Sequence, residues 1–218
     1  MQPSSAVLGA GFLLFLLLIG FLVASALAPR EVAVFDPSPP GQRQAGTLRE
    51  PRTDTVTVDA RDARAWRFFD LDRGMVLESP DTAGWDLAFR RFHIIAAAGI
   101  LDLETTDFES SGALPAAGYQ PNVYRSDTLN PAIARWYSYS MLTHLLKSKE
   151  RVYAVPTSDG RYAKLQILSY YCTGVRAGCL TFRYRYPVPA ESSPSTAPEA
   201  IPRQSATGSG SRASGVRR

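Results

Sequence analysis

From Ala6 to Ala28 the chain reads AVLGAGFLLFLLLIGFLVASALA, without one charged or strongly polar side chain. As a helix rising 1.5 Å per residue this run is about 34 Å long. That length matches a bilayer hydrocarbon core of about 30 Å with a modest tilt. Ala26-Leu27-Ala28 also has the small-x-small form of a signal-peptidase site. However, Met1 to Ser5 offers no Lys or Arg, so a basic leader is missing. The apolar stretch is also longer than an ordinary signal core, so a retained single-pass helix is expected over residues 1–28. Gly20, Ala24 and Ala28 are spaced four apart, a small-residue stripe along which a second membrane helix could pack closely.

The remainder divides by composition. Residues 29–53 hold Pro29, Pro37, Pro39, Pro40 and Pro51 and read as an extended linker. Residues 187–218 mix Pro, Ser, Gly, Ala and Thr with few large apolar side chains, which predicts a disordered tail. Residues 54–186 are the expected folded domain. The chain has 24 Lys+Arg against 20 Asp+Glu, a formal net charge of +4. Most of that excess lies in the flanks. The near-neutral middle lacks the basic stripe that a phosphate backbone requires, so nucleic acid is not an expected partner.

The domain reads as strands, with a mainly β, antiparallel fold. Thr55 to Val58 alternates and is rich in β-branched residues. Trp85 to Ile95 reads as one long strand whose apolar phase changes near Arg90-Arg91, as at a bulge or in a strand covered on both sides. Asn130 to Lys149 is a turn-rich or helical candidate, with Leu142, Leu145 and Leu146 spaced for one face. Val152–Pro156, Tyr162–Tyr171 and Leu180–Tyr186 read as a meander, with Ser158-Asp159-Gly160 as its first turn.

Cys172 and Cys179 close the loop between the last two of these strands. Facing partners in an antiparallel ladder lie about 4.5 Å apart at Cα, which a disulfide can bridge. Such a bond persists in an oxidising compartment. The expectation is therefore a bacterial single-pass membrane protein with its C-terminal domain extracytoplasmic, or periplasmic. The positive-inside rule, applied to Arg30 and Arg43, points the other way, but on two charges alone.

Trp85-Asp86-Leu87-Ala88-Phe89-Arg90-Arg91-Phe92-His93 resembles the opening signature of the HmuY-like haem-binding family. Trp136 to Tyr186 resembles a later block, most specifically in VYAVPTSDGRYAKLQILSYY. Asp107-Phe108 through Gly118-Tyr119 sits where the family carries a loop. The resemblance implies a mainly antiparallel β-domain, exported from the cytoplasm, with haem as the implied cofactor. It supplies no axial ligand by position, so these are sought among the residues. Haem iron takes His, Met, Cys or Tyr. His144, His93 and Met141 are the leading candidates, with Met75 a further one. Met141 and His144 are three apart and would share a face in a helical turn. Tyr137, Tyr139, Tyr170 and Tyr171 could line a flat ligand.

No dinucleotide, phosphate-loop or His-Glu-x-x-His motif occurs, and no catalytic residue is named. Two cysteines and two histidines cannot build a four-ligand zinc site without carboxylates, so no metal site is expected. Two functions follow. One is a membrane-anchored haem or tetrapyrrole binding module. The other is a single-pass accessory subunit of a respiratory or photosynthetic membrane complex, packed through its helix against other transmembrane subunits.

Overall fold

The computed structural model describes residues 5–27, 32–39, 50–78 and 84–191. Ala28, most of the linker and the tail beyond residue 191 lie outside the described residues. The helix α1 spans Ser5–Leu27, and none of its span Val7–Ser25 is covered by protein. Mean hydropathy there is 2.8, apolar all round, as a membrane-crossing helix must be. A Cβ built on Gly20 would meet no atom within 4 Å.

The domain is antiparallel β, as expected. Its first strands are β1 (Arg52–Asp59), β2 (Arg67–Asp70), β3 (Met75–Leu77), β4 (Leu87–Arg90), β5 (His93–Ala96) and β6 (Leu101–Asp102). Short strands follow: β7 (Val123–Tyr124), β8 (Thr128–Leu129), β9 (Tyr137–Tyr139) and β10 (Leu146–Ser148). The chain then runs through β11 (Val152–Pro156), β12 (Tyr162–Cys172) and β13 (Arg176–Val188). One sheet has the order β1-β13-β12-β11-β6 and a second has β3-β2-β4-β5. The hairpins β7-β8 and β9-β10 form separate two-stranded ladders.

The two large sheets meet face to face. Alternation along β13 sends Leu180, Phe182, Tyr184 and Tyr186 inward, all fully buried. Phe182 stacks on Phe89 at 5.2 Å and meets the edge of Phe69 at 5.3 Å. Burying each of these rings contributes about 2–3 kcal/mol before entropy is subtracted. On the opposite face of the five-stranded sheet, Lys164 and Gln166 are buried too. The loop after β6 covers them: Lys164 Nζ donates to the Ser110 hydroxyl at 3.0 Å and to the Ser110 carbonyl. Arg183 lies 4.1 Å over the Phe108 ring and donates to Glu109 at 3.0 Å.

Asp86 joins the sheets at one end. Its Oδ2 accepts the Leu71 N–H at 2.7 Å, just past β2. Its Oδ1 accepts the Ser158 N–H at 2.7 Å, in the β11–β12 turn. Its own N–H donates to the Phe69 carbonyl at 2.9 Å. One carboxylate thus satisfies two backbone donors that no ladder serves.

Four expectations change. The stretch from Trp85 to Ile95 is two strands, because Arg90 pairs with His93 and Arg91-Phe92 is the turn between them. Arg91 takes a left-handed φ of 54°, and the turn itself reverses the apolar phase. Residues 137–148 form a hairpin rather than a helix, so Leu142 is exposed while Leu145 and Leu146 pack on the core. The last strand continues to Val188, and Leu114 bridges to Ala190 past the boundary that composition suggests. Cys172 and Cys179 do form a disulfide, with Cα atoms 4.9 Å apart. In the ladder, however, Cys172 faces Arg176, since β13 begins earlier than expected and three register shifts precede the turn.

Residues 32–39 also depart from a free linker. Val34 bridges to Tyr171, and the Phe35 N–H donates to the Tyr171 carbonyl at 3.0 Å. Ser38 N–H donates to the Thr57 carbonyl at 2.9 Å, and its hydroxyl accepts the Thr57 N–H at 2.9 Å.

Burial raises the Asp86 pKa from 3.8 to about 6, against the two backbone donors that pull it down. The folded protein therefore holds that proton more tightly than the unfolded chain. This group favours folding most below pH 4 and loses that contribution as pH rises through 6. Asp86→Ala orphans two N–H groups and is expected to cost about 2–4 kcal/mol in urea unfolding at pH 5. The gap between wild type and variant should narrow from pH 4 to pH 7. An unchanged gap would show that Asp86 does not titrate in this window.

Candidate functional site

The turn between β4 and β5 presents Phe92 and His93 side by side. The His93 imidazole stacks on the Phe92 ring at 4.4 Å with 29° between planes. Phe92 meets the edge of Tyr137 at 5.7 Å and of Tyr170 at 6.4 Å. Trp136 is buried beneath and lies 5.2 Å from Tyr137. Its indole N–H donates to the Phe92 carbonyl at 2.9 Å, which fixes the turn on the 131–136 segment.

The β9–β10 hairpin continues the row. Tyr137 and Tyr139 are two apart on β9 and share a face. The Tyr139 hydroxyl hydrogen-bonds His144 Nδ1. His144 is held there by a left-handed φ of 55° and by its N–H donating to the Ser140 carbonyl at 2.8 Å. The hairpin lies against β12: Tyr171 Oη accepts the Leu146 N–H at 2.7 Å, and the Ser148 hydroxyl donates to the Ile167 carbonyl at 2.6 Å.

The two histidines thus sit at the ends of one aromatic strip, running His93, Phe92, Tyr137, Tyr139, His144. Met141 does not join it. The turn breaks the helical spacing, leaving Met141 76% exposed at the tip while His144 folds back onto Tyr139. Met75 lies in β3, at the opposite edge of the four-stranded sheet from β5 and His93. His93 has charged neighbours brought in from distant segments, which no local motif predicts. Asp127, from the β7–β8 turn, pairs with Arg90, and Arg90 lies 4.4 Å over the Trp66 ring. Burial lowers the His93 pKa below its ordinary 6.5, with Asp127 opposing. Its imidazole is therefore neutral at pH 7, the form that can donate a lone pair. Among the described residues no group of three His, Cys, Asp or Glu is placed to hold a bare metal ion.

A family model described as HmuY protein matches residues 62–184, more than half of the chain. The chain belongs to the HmuY family. The match includes the whole aromatic strip, both cysteines and Asp86. The HmuY fold is also that of an apo HmuY analogue from Tannerella forsythia, at TM-score 0.54 and 19% identity. The alignment covers 64% of this chain and 97% of that one. A Bacteroides vulgatus protein described as HmuY-like and heme-binding aligns at TM-score 0.51 and 23% identity, over 62% of this chain and 92% of its own. A Bacteroides fragilis protein described as a lipoprotein gives 0.52 and 22%, over 62% and 89%. No curated protein sequence matches the chain. At these identities the solved structures share the HmuY fold, and the aromatic strip is read from this chain's own residues.

Trp136→Phe keeps a ring but removes the donor to the Phe92 carbonyl. It is expected to lower stability by about 1–3 kcal/mol in denaturant unfolding. An unfolding midpoint unchanged from wild type would show that the β4–β5 turn is held by packing alone.

Proposed function

We propose that this HmuY-family chain is a non-catalytic, membrane-anchored, extracytoplasmic binding module for haem or a related tetrapyrrole. The observation that carries the reading is the strip with an imidazole at each end. A porphyrin is flat and apolar with a metal at its centre, and rings with neutral imidazoles are the groups that suit it. The family assignment and the described heme binding of the Bacteroides vulgatus relative support the same ligand. The uncovered apolar helix supports retention in a membrane, and the Cys172–Cys179 disulfide supports an oxidising side.

The residues of the strip fit such a group. His144 keeps Nε2 for a ligand, because Nδ1 is engaged by Tyr139. That contact also orients the ring. Burial keeps His93 unprotonated, so it is ready to bind without first losing a proton. Phe92 and Tyr137 exclude water from the strip between them. Haem iron, when bound, would take one of these imidazoles as a ligand, because imidazoles at opposite ends of the strip cannot both reach one iron.

The test is a haem titration of the full-length protein in mild detergent, read at the Soret band. A shifted, saturable band at one haem per chain is expected. His93→Ala and His144→Ala should each weaken binding about tenfold or more, which corresponds to losing 1.4 kcal/mol of contact. Binding should also fall as acid protonates His93, whose burial holds its pKa below the ordinary 6.5. A Soret band identical to that of free haem sinks the reading. A colourless chain isolated at fixed stoichiometry with integral-membrane subunits would make it an accessory subunit instead.

A further inference from the structure

We infer that the tip of the β9–β10 hairpin is a second membrane contact, with Met141 and Leu142 seated at the headgroup–acyl boundary of the bilayer that α1 crosses. The inference rests on the proposed reading of α1 as a retained anchor. Its occupant is the lipid surface itself.

The chain geometry brings the tip and the bilayer together. Only residues 28–31 separate the end of α1 at Leu27 from Val32. Five steps of extended chain reach at most about 18 Å. Beyond them the chain is fixed: Val34 bridges to Tyr171, and the Ser169 hydroxyl donates to the Ala33 carbonyl. The Tyr171 end of β12 must therefore lie close to the bilayer. The hairpin runs along β12 in the same direction. Ser148 bonds at Ile167 and Leu146 at Tyr171, so the connecting turn 140–144 lies at that end or past it.

The tip also sits beside the helix itself. Leu142, Thr143 and Leu145 line a cavity of about 690 Å³ together with Phe21, Leu22 and Ser25 of α1. Phe21 is about 9 Å along the helix from Leu27. A side chain level with Phe21 therefore reaches the interfacial depth of about 5–10 Å at which amphipathic segments lie. Leu142 is 92% exposed and Met141 76%, although an apolar pair at a hairpin tip gains nothing from water. Lys147 and Glu150 also stand on the cavity wall.

The chain's two cysteines are paired with each other, so an introduced thiol is unique. Leu142→Cys in the full-length chain would be labelled with an environment-sensitive nitrobenzoxadiazole dye. It would then be reconstituted into phosphatidylcholine vesicles with or without brominated acyl chains. Ser158→Cys is the control, in the turn beyond the other end of β12, about 30 Å from Tyr171. Flotation with the vesicles is read first. The expected result is flotation of both proteins, with blue-shifted emission and bromolipid quenching at position 142 and neither at 158. Flotation with a water-like, unquenched signal at 142 overturns the proposal while the anchor stands. A blue shift without bromolipid quenching means that protein covers the tip, a second copy or another subunit, and overturns it as well. Failure to float overturns the anchor reading and this proposal with it.

Discussion

A buried carboxylate ties the two sheets of this domain together at one end. Asp86 takes backbone donors from the end of β2 and from the β11–β12 turn. Without it, the buried Leu71 N–H would have no acceptor and the part-buried Ser158 N–H would lose its own. The inter-sheet rings of Phe69, Phe89, Phe182 and Tyr184 supply most of the apolar burial. Rings can slide, but two short hydrogen bonds to one side chain cannot, so Asp86 sets the registration in which those rings meet. The acidic residue of the Trp-Asp-Leu-Ala-Phe signature is thus structural, and its position in sequence beside Leu87 follows from that duty.

Registration of the sheets then fixes the aromatic strip. The β4–β5 turn projects from the four-stranded sheet, and the β9–β10 hairpin lies on β12 of the five-stranded one. Phe92 and Tyr137 meet because both sheets are held at one spacing, and Trp136 ties the two parts by its bond to the Phe92 carbonyl. The strip thus joins the β4–β5 turn of the four-stranded sheet to the hairpin lying on β12. The same hairpin places its apolar tip beside the helix, so the candidate ligand surface and the proposed lipid contact share one element.

Much of the fold was legible from alternation. The inward set of β13, the meander β11-β12-β13 and the Ser158-Asp159-Gly160 turn all follow from a period of two and from glycine punctuation. The Arg90-Arg91 phase change was visible too, but its meaning was not. A bulge and a tight turn reverse the apolar phase equally, and a non-glycine residue at positive φ gives no sequence signal of a turn. Leucine spacing in residues 142–146 suggested a helical face. The hairpin prevailed because β12 offers Tyr171 and Ile167 as partners, which no local propensity reveals. Within the site, both histidines could be named from residue chemistry. Their common strip could not, since His93 and His144 are brought together by contacts more than forty residues apart in the chain.

What the sequence determined by itself is set by local chemistry. An uncharged run long enough to cross a bilayer, strands of alternating burial and a cysteine pair across a short loop each depend on neighbours a few residues away. The HmuY signatures are likewise contiguous. Only the tertiary structure decided that Asp86 spans two sheets, that Asp127 reaches the Arg90–His93 corner, and that residues 32–39 dock on β12 instead of hanging free. Each of these rests on the closeness of distant segments, which is set by how the two sheets pack. For the same reason, Met141 is chemically eligible as a ligand yet stands at an exposed tip, while His144, three residues on, turns back onto Tyr139.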